Sequence, residues 1–376
     1  MAELIVHIVS FDIPFPANYG GVIDIFYKIR ALHRAGVRVH LHCFEYQRAP
    51  AVELNEYCTS VHYYPRKTGF AANFGWRPYI VASRMSHDLL QNLLQDDDPI
   101  LFEGLHTCGI MSDARLKERL LIYRESNIEH QYYFHLFKAE RNFWKKLFFL
   151  AESMKLRIFQ NILRHASLML PVSQDDANYL SAAFPSNRVI YLPSFHRDDE
   201  VQTVAGSGSY ALYQGKLSVP ENSVAAEFLI TKIWEDSFPE LVIAGLDPPE
   251  RLKRLAENHS NIRIIANPSD DQMFRLISEA HVNIMVTFQA TGLKLKLLNA
   301  LFNGRFCLVN TEMVAGTSLA ELCVVSETPE GMKGELVRLF TMEFTPELIA
   351  HRKSVLMKRY SNHENCQLLL EIFQLQ

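Results

Sequence analysis

Two lysines open an amphipathic stretch, Thr291-Gly292-Leu293-Lys294-Leu295-Lys296-Leu297-Leu298-Asn299-Ala300-Leu301-Phe302-Asn303-Gly304. The leucine spacing predicts a helix, with Thr291-Gly292 as the tight loop before it. The exposed N–H groups of a helix start carry roughly half a positive charge, so acidic side chains are the usual occupants of a first turn. Lysines there oppose the local field unless an anion offsets them. A phosphate meets that need, because free N–H groups and cations converge on it. Alternate residues of a helix do not share a face, so Lys294 and Lys296 reach one phosphate together only if the loop persists to 294.

Two other loops have matching chemistry. Asn18-Tyr19-Gly20-Gly21 follows the first apolar run, and paired glycines let backbone N–H groups approach an anion with no Cβ in the way. An ordinary strand-to-helix turn accounts for the same residues. Tyr213-Gln214-Gly215-Lys216-Leu217 holds the equivalent place in the second half, and Glu221-Asn222 then begins a helix. Lys216 taken alone reads as a surface lysine; its match in position to Lys294 and Lys296 raises it to a candidate phosphate ligand. Gly245 closes a further strand candidate at the same level.

These loops need strands and helices to hold them, and the chain has the means. Its 376 residues suggest two domains; 48% are apolar and 21% charged, the balance of a globular protein. A net charge of −4 leaves no global basic field for nucleic acid. The six cysteines are dispersed and form no CxxC pair, so no zinc site or disulfide framework is indicated. Leu4–Val9 is a continuous apolar run, suited to a central parallel strand and not to a signal peptide. Helical spacing over Val22–Ala35 and a second strand at Val37–Phe44 follow. Further strand candidates are Val61–Tyr64, Ile100–Phe102, Leu120–Tyr123 and Leu168–Val172. A Gly/Ser-rich stretch over 201–209 reads as a linker, after which the rhythm restarts. Strands are expected at Tyr210–Tyr213, Leu241–Ala244, Ile262–Ile265, Val282–Val286 and Phe306–Val309, with helices between them and a helix over Glu221–Trp234. The expected fold class is α/β, with two Rossmann-like doubly wound domains facing a cleft. Their bounds are 1–200 and 210–360, and a C-terminal helix over 361–376 is suited to packing back on the N-terminal domain. With no apolar run long enough to span a bilayer, the expected location is the cytoplasm.

The order of these pieces carries a resemblance. A Gly-Gly loop, Gly215-Lys216-Leu217 with Glu221-Asn222, and Gly292-x-Lys294-x-Lys296-Leu297-Leu298-Asn299-Ala300 with Gly304 together resemble the retaining, nucleotide-sugar-dependent glycosyltransferases of the GT-B fold. Within them, the pattern is similar to the family 4-type group 1 enzymes of bacterial surface polysaccharide synthesis. The resemblance implies that Gly20 and Gly21 face the donor phosphates. Lys216 takes the place of the basic residue in a Gly-Arg-Leu motif, and Lys296 that of a second diphosphate-binding lysine. Both cations would then stabilise the leaving diphosphate as it gains charge. Gly215, Gly245, Gln289, Thr291, Gly292, Lys294 and Asn299 complete the implied donor site. No metal and no cofactor are implied, the nucleotide sugar being a substrate. The chain departs from the family pattern at two glutamates: Thr291 stands near the sugar and Asn299 near the ribose, with Gln289 able to take over part of the polar role. Glu221 stands where many relatives carry a lysine.

On the acceptor side, Glu103-Gly104-Leu105-His106 follows a strand candidate, and the resemblance implies that His106 contacts the sugar or the acceptor. Arg124-Glu125-Ser126-Asn127-Ile128-Glu129-His130 follows another, where Glu129 is placed to act as a base or a hydrogen-bonding group. A helix N-cap by Ser126 or Asn127 explains those residues as well. Residues 134–164 are basic and aromatic, which suits either a peripheral membrane contact beside a lipid-linked acceptor or a core-packed helix pair with a solvated basic face. The expected activity is transfer of a sugar from a nucleotide diphosphate donor to a glycan or lipid-linked glycan. A catalytically silent sugar-nucleotide-binding subunit and an epimerase on the same fold are the alternatives.

Overall fold

The computed structural model describes residues 4–69, 75–140, 142–288 and 294–375. They form two compact units. Of the described residues, 4–195 and 362–375 belong to the first, and 196–288 and 294–361 to the second.

Among the described residues, the first unit is built on a seven-stranded sheet whose ladders are all parallel. Its strands are β1 (Ile5–Ser10), β2 (Arg38–Glu45), β3 (Ser60–Pro65), β4 (Ile100–Glu103), β5 (Leu121–Glu125), β6 (Leu168–Pro171) and β7 (Arg188–Val189), in the order β3-β2-β1-β4-β5-β6-β7. The order reverses between β1 and β4, so a crevice lies outside their carboxyl ends. The apolar runs follow from burial on both faces. Val6 and Ile8 join a core with Ile25, Ile29 and Leu32 of the helix Gly20–Arg34 and with Leu369 and Phe373 of the C-terminal helix. Val9 and Phe102 join a core on the other face with Ile80 and Leu156.

A buried ionic network closes this unit. Lys28 Nζ donates to Asp24 Oδ2 at 2.9 Å and to Glu103 Oε1 at 2.6 Å. The Arg124 guanidinium forks onto Asp24, Nε to Oδ2 at 3.0 Å and Nη2 to Oδ1 at 2.9 Å. The remaining Arg124 donors reach the carbonyls of Leu170, Leu192 and Pro193, and Phe195 N donates to Asp24 Oδ1. Burial alone would raise the Asp24 carboxyl, but Arg124 and Lys28 outweigh it and hold it well below its ordinary value. Glu103 has one cation and a neighbouring anion, and burial pushes its carboxyl up. Asp24→Asn therefore strands the buried Arg124 and leaves Lys28 with Glu103 alone, and should cost about 3–5 kcal/mol, whereas Glu103→Gln should cost clearly less. Hydrogen-exchange protection of β4 and β5 measures both; equal effects would overturn the ordering.

Four imidazoles line the strand starts. His7 pairs in register with His40, and His42 with His62. A chain of hydrogen bonds runs from Asp96 to His7 (3.0 Å), His42 (2.9 Å) and Tyr64 (2.8 Å). Burial, opposed by Asp96, brings the His7 imidazole down to about 4. Below about pH 6.5 the unfolded chain binds a proton here that the folded chain refuses, so the His7 contribution turns against folding as pH falls toward 4. Wild type should lose on the order of 3 kcal/mol relative to His7→Gln between those limits, in denaturant titrations at stepped pH; a pH-independent difference would refute it.

The second unit repeats the plan. Among the described residues, β8 (Tyr210–Lys216), β9 (Glu240–Leu246), β10 (Ile262–Ala266), β11 (Val282–Met285), β12 (Phe306–Val309) and β13 (Val324–Val325) form a parallel sheet in the order β10-β9-β8-β11-β12-β13. The order again reverses at its first strand, between β8 and β11. The 201–209 stretch is not a free connection. Gln202 N donates to Phe302 O at 2.7 Å, Thr203 Oγ1 to Gly304 O at 2.9 Å, and Gly206 bridges to Phe344. Backbone groups that composition marks as linker are taken up by the second unit, and the change of unit falls between Phe195 and His196. The helix expected over Glu221–Trp234 is α-helical over Pro220–Phe228 and closes in a π-turn, Leu229–Ile233.

Candidate functional site

The second unit presents the lysines at its switch point. Lys216 ends β8 and is exposed. The chain then turns, with Leu217 N and Ser218 N donating to Leu246 O and Val219 N to Lys216 O. Pro220 takes the first helical position, where its missing N–H costs nothing. Glu221 in that turn accepts the Thr287 hydroxyl, which ties the end of β11 to the helix after β8. Asn222 is the hub: its Nδ2 donates to Lys216 O at 3.1 Å, and its Oδ1 accepts Lys296 Nζ at 3.2 Å. Tyr213 Oη donates to the Asn222 carbonyl at 3.0 Å, and Lys296 Nζ sits 5.3 Å from the Tyr213 ring centre.

Lys294 is the N-cap of the helix Leu295–Asn303, with φ −84° and ψ 89°. The loop thus persists to 294, the condition for both lysines to serve one anion, and no acid stands in the first turn. Burial, partly opposed by Glu221 and reinforced by Lys294, brings the Lys296 amine down to about 8. Gly215 and Gly245 have packing reasons. A Cβ on Gly245 would lie 1.7 Å from Gly215 O, and one on Gly215 would crowd Asn222 at 3.1 Å. The Asn299 side-chain oxygen accepts Asn303 Nδ2 at 2.9 Å. Gln289, Thr291 and Gly292 lie outside the described residues.

The first unit gathers a second polar group at the β1/β4 switch point. Gly20 and Gly21 are the first residues of their helix, behind Tyr19 in extended conformation. Gly20 faces open space, whereas a Cβ on Gly21 would strike the Phe11 ring at 2.5 Å. Phe11 packs on His106, ring centres 5.1 Å apart. His106 Nδ1 lies 3.8 Å from Glu129 Oε1, too far for a hydrogen bond, and has no hydrogen-bond partner among the described residues. Arg84 fixes the neighbourhood through Phe11 O (2.8 Å) and Ile80 O (2.7 Å). Burial, with Arg84 and Arg66 adding, holds the imidazole well below its ordinary value. Burial, with Arg84 opposing, raises the Glu129 carboxyl to about 8. At neutral pH the pair is therefore a neutral imidazole beside a largely protonated acid, able to pass one proton between a ligand hydroxyl and the protein. Glu125 is fully buried, and neither carboxyl oxygen has a hydrogen-bond partner among the described residues.

The strand-end segment read as one polar loop is divided. Arg124 belongs to the ionic network, and the helix Glu129–Ala139 starts at Ile128 with no side-chain cap, so neither Ser126 nor Asn127 caps it. Asn222, Thr287, Tyr213, Arg84 and Glu125 were not foreseen as site residues. Only Asn222 carried a local signal, its place after Glu221 at a helix start. For a cation, the described residues that bring three ligand groups within 4.8 Å of one another are His7, Asp96 and Asp98. They lie at the strand starts, and Arg119 already holds Asp96 at 3.0 Å.

No protein-family model matches the chain. It is 26% identical over 349 residues to an uncharacterized 44.6 kDa protein in the cps region of Klebsiella pneumoniae, covering 87% of this chain and 88% of that one. Among solved structures it is similar to Anabaena HepE in complex with UDP and glucose, at a TM-score of 0.66 and 12% identity over 99% of this chain and 100% of that one. Sucrose-phosphate synthase from Thermosynechococcus elongatus is similar at a TM-score of 0.71 and 12% identity over 99% and 98%. S. aureus TarM follows at 0.68 and 8% over 99% and 100%. The chain therefore has the GT-B fold, and its structural neighbours are GT-B glycosyltransferases.

The lowered Lys296 amine makes a pH test. Above about 8 it loses its charge, so affinity for a nucleoside diphosphate should fall as pH rises through 8. The expected loss is about tenfold per further unit where that charge dominates binding. Lys296→Met should flatten the profile in calorimetric titrations; an unchanged profile would remove Lys296 from the site.

Proposed function

We propose that the protein is a glycosyltransferase that moves a sugar from a nucleotide diphosphate donor to a glycan or lipid-linked glycan hydroxyl, with retention at the anomeric carbon. The observation that carries this reading is the lysine cluster at the second unit's switch point. Asn222 holds the Lys296 amine beside the end of β8, and Lys216 and Lys294 flank the same crevice. A diphosphate is a fitting ligand, because each charge-assisted hydrogen bond contributes about 1.5–3 kcal/mol. The leaving group gains charge as the glycosidic bond breaks, so the cations favour the transition state over the bound donor. The neighbours crystallised with UDP, UDP and glucose, and UDP-glucose support a nucleotide-sugar ligand. The Klebsiella relative's cps region supports a role in surface polysaccharide synthesis. In the first unit, the neutral His106 would accept the acceptor hydroxyl's hydrogen bond and take up its proton, while the protonated Glu129 would donate a hydrogen bond that orients the acceptor. Glycine at 20 leaves the start of its helix open to a phosphate. The reading needs no metal and no cofactor, and places the enzyme in the cytoplasm.

One observation favours a silent binding subunit instead. Asn299 stands where the resemblance has a ribose-binding glutamate, and its oxygen is engaged by Asn303. A nucleotide-sugar panel in thermal-shift and nucleoside-diphosphate release assays separates the two. Stabilisation with turnover on some acceptor is the expected result; stabilisation with no release would favour the subunit. Lys296→Ala should weaken donor binding about ten- to a hundredfold, the loss of one charge-assisted contact, and far more than Lys294→Ala. Equal effects would overturn this orientation of the helix.

A further inference from the structure

We propose that the outer face of the helix Phe143–Phe159 is a docking surface for an anionic lipid bilayer, on which the helix lies in the plane of the headgroups. This helix buries Glu152 and Ser153 beside Leu156 and shows an apolar stripe to solvent. Phe143 is 65% exposed, Trp144 76%, Leu147 43%, Met154 62% and Ile158 70%. The positions 144, 147, 151, 154 and 158 alternate steps of three and four, so they form one stripe along the helix. Ala151 completes it and is also exposed.

The inward face is fixed by polar contacts, so the stripe has no freedom to turn in. Glu152 Oε2 accepts Tyr79 N at 2.6 Å, and its other oxygen pairs with Lys155 at 2.9 Å. Ser153 Oγ donates to His130 O at 2.7 Å, and Leu156 is fully buried. The break at the start of the helix is likewise set locally. Asn142 Oδ1 accepts from Trp144 N and Lys145 N, which separates this helix from Glu129–Ala139.

Charge selects the occupant. The helix carries Lys145, Lys146, Lys155 and Arg157 against Glu152 as its one acid, and that acid is buried and paired. The face shown to solvent is therefore positive in a chain whose net charge is −4. The neighbouring helix adds Lys138, 4.8 Å over the Phe134 ring, and Lys146 lies 5.1 Å over Phe137. Aromatic and aliphatic side chains along the centre, flanked by Lys155 on one side and by Lys146 and Arg157 on the other, suit the boundary of an anionic bilayer, where rings sit at headgroup depth. A second copy of this chain fits poorly, because a two-fold pairing of the stripes would bring the flanking cations Lys146, Lys155 and Arg157 of both copies together. Among the described residues no helix is long and apolar enough to cross a membrane, which is consistent with lying on one. The surface does not depend on the transfer reading, and its failure would leave the lysine site untouched.

The test uses the full chain with vesicles of phosphatidylcholine, alone or mixed with phosphatidylglycerol. Trp76→Phe leaves Trp144 and the buried Trp234 as the two tryptophans. Binding to the anionic vesicles should be about tenfold or more tighter than to neutral ones and should weaken with salt. The Trp144 emission should move to shorter wavelength on binding. Trp144→Ser with Leu147→Ser should abolish binding, while melting temperature and nucleoside-diphosphate affinity are retained. Lys146→Glu with Arg157→Glu should remove the preference for anionic lipid. Three results would overturn the proposal: no vesicle binding by the parent chain, undiminished binding by the serine variant, or self-association that the serine change abolishes.

Discussion

The fork of Arg124 onto Asp24 is the contact on which the first unit's site depends. Asp24 lies one turn into the helix that Gly20 and Gly21 open, and Arg124 lies near the end of β5. Lys28 carries the same network to Glu103, the last residue of β4, directly before the Gly104–His106 turn. Phe195 N closes it on the segment that leaves the unit. Buried ion pairs add little net stability, because desolvation consumes most of the Coulombic gain. Their value here is positional. Bidentate geometry and saturated donors admit one register of the helix against the strand ends. His106, Glu129 and the Gly20-Gly21 turn inherit their spacing from it.

The second unit reaches the same end with lighter means. One amide, Asn222, spans the end of β8 and the lysine helix, and a hydroxyl–carboxylate bond from Thr287 to Glu221 joins the two strands that flank the crevice. The two glycines facing each other across β8 and β9 let the backbones approach closely enough for this, since a Cβ at 245 would overlap the Gly215 carbonyl. A neutral hub positions the amine and leaves its charge available.

The sheets were legible where burial on both faces forces continuous apolar runs. β1, β2, β9 and β11 fall within a residue or two of their expected places, and β8 runs three residues past its expected end. β7 and β13 are two residues long and carry no such run. The lysine helix and its loop were readable from charge set against the helix dipole, and Gly215-Lys216 from position. Asp24 and Lys28 show as an i,i+4 pair, but nothing local ties them to Arg124, a hundred residues on. The 134–164 region shows a different limit. Periodicity identifies the stripe of a helix but not the side that faces inward. The basic face was the natural choice for solvent, yet Glu152 and Ser153 are drawn inside by a backbone N–H and a carbonyl that only the fold supplies.

Burial acts on both switch points toward the uncharged state. It raises Glu129 and Glu125 in the first unit and lowers Lys296 in the second. For a catalytic crevice that tendency has a use. A diphosphate entering beside Lys296 supplies the countercharge that Glu221 gives only in part, so binding favours the protonated amine and draws a proton with it at alkaline pH. The desolvation was met when the unit folded, and the ligand finds a cation poorly hydrated and already aimed. Interactions of that kind strengthen most where charge grows most, which in sugar transfer is on the departing diphosphate. A well-solvated surface lysine at the same position would bind the donor and the transition state more nearly alike. Under the proposed transfer reading, the partial burial of Lys296 is what would set this crevice apart from a site of simple phosphate adhesion.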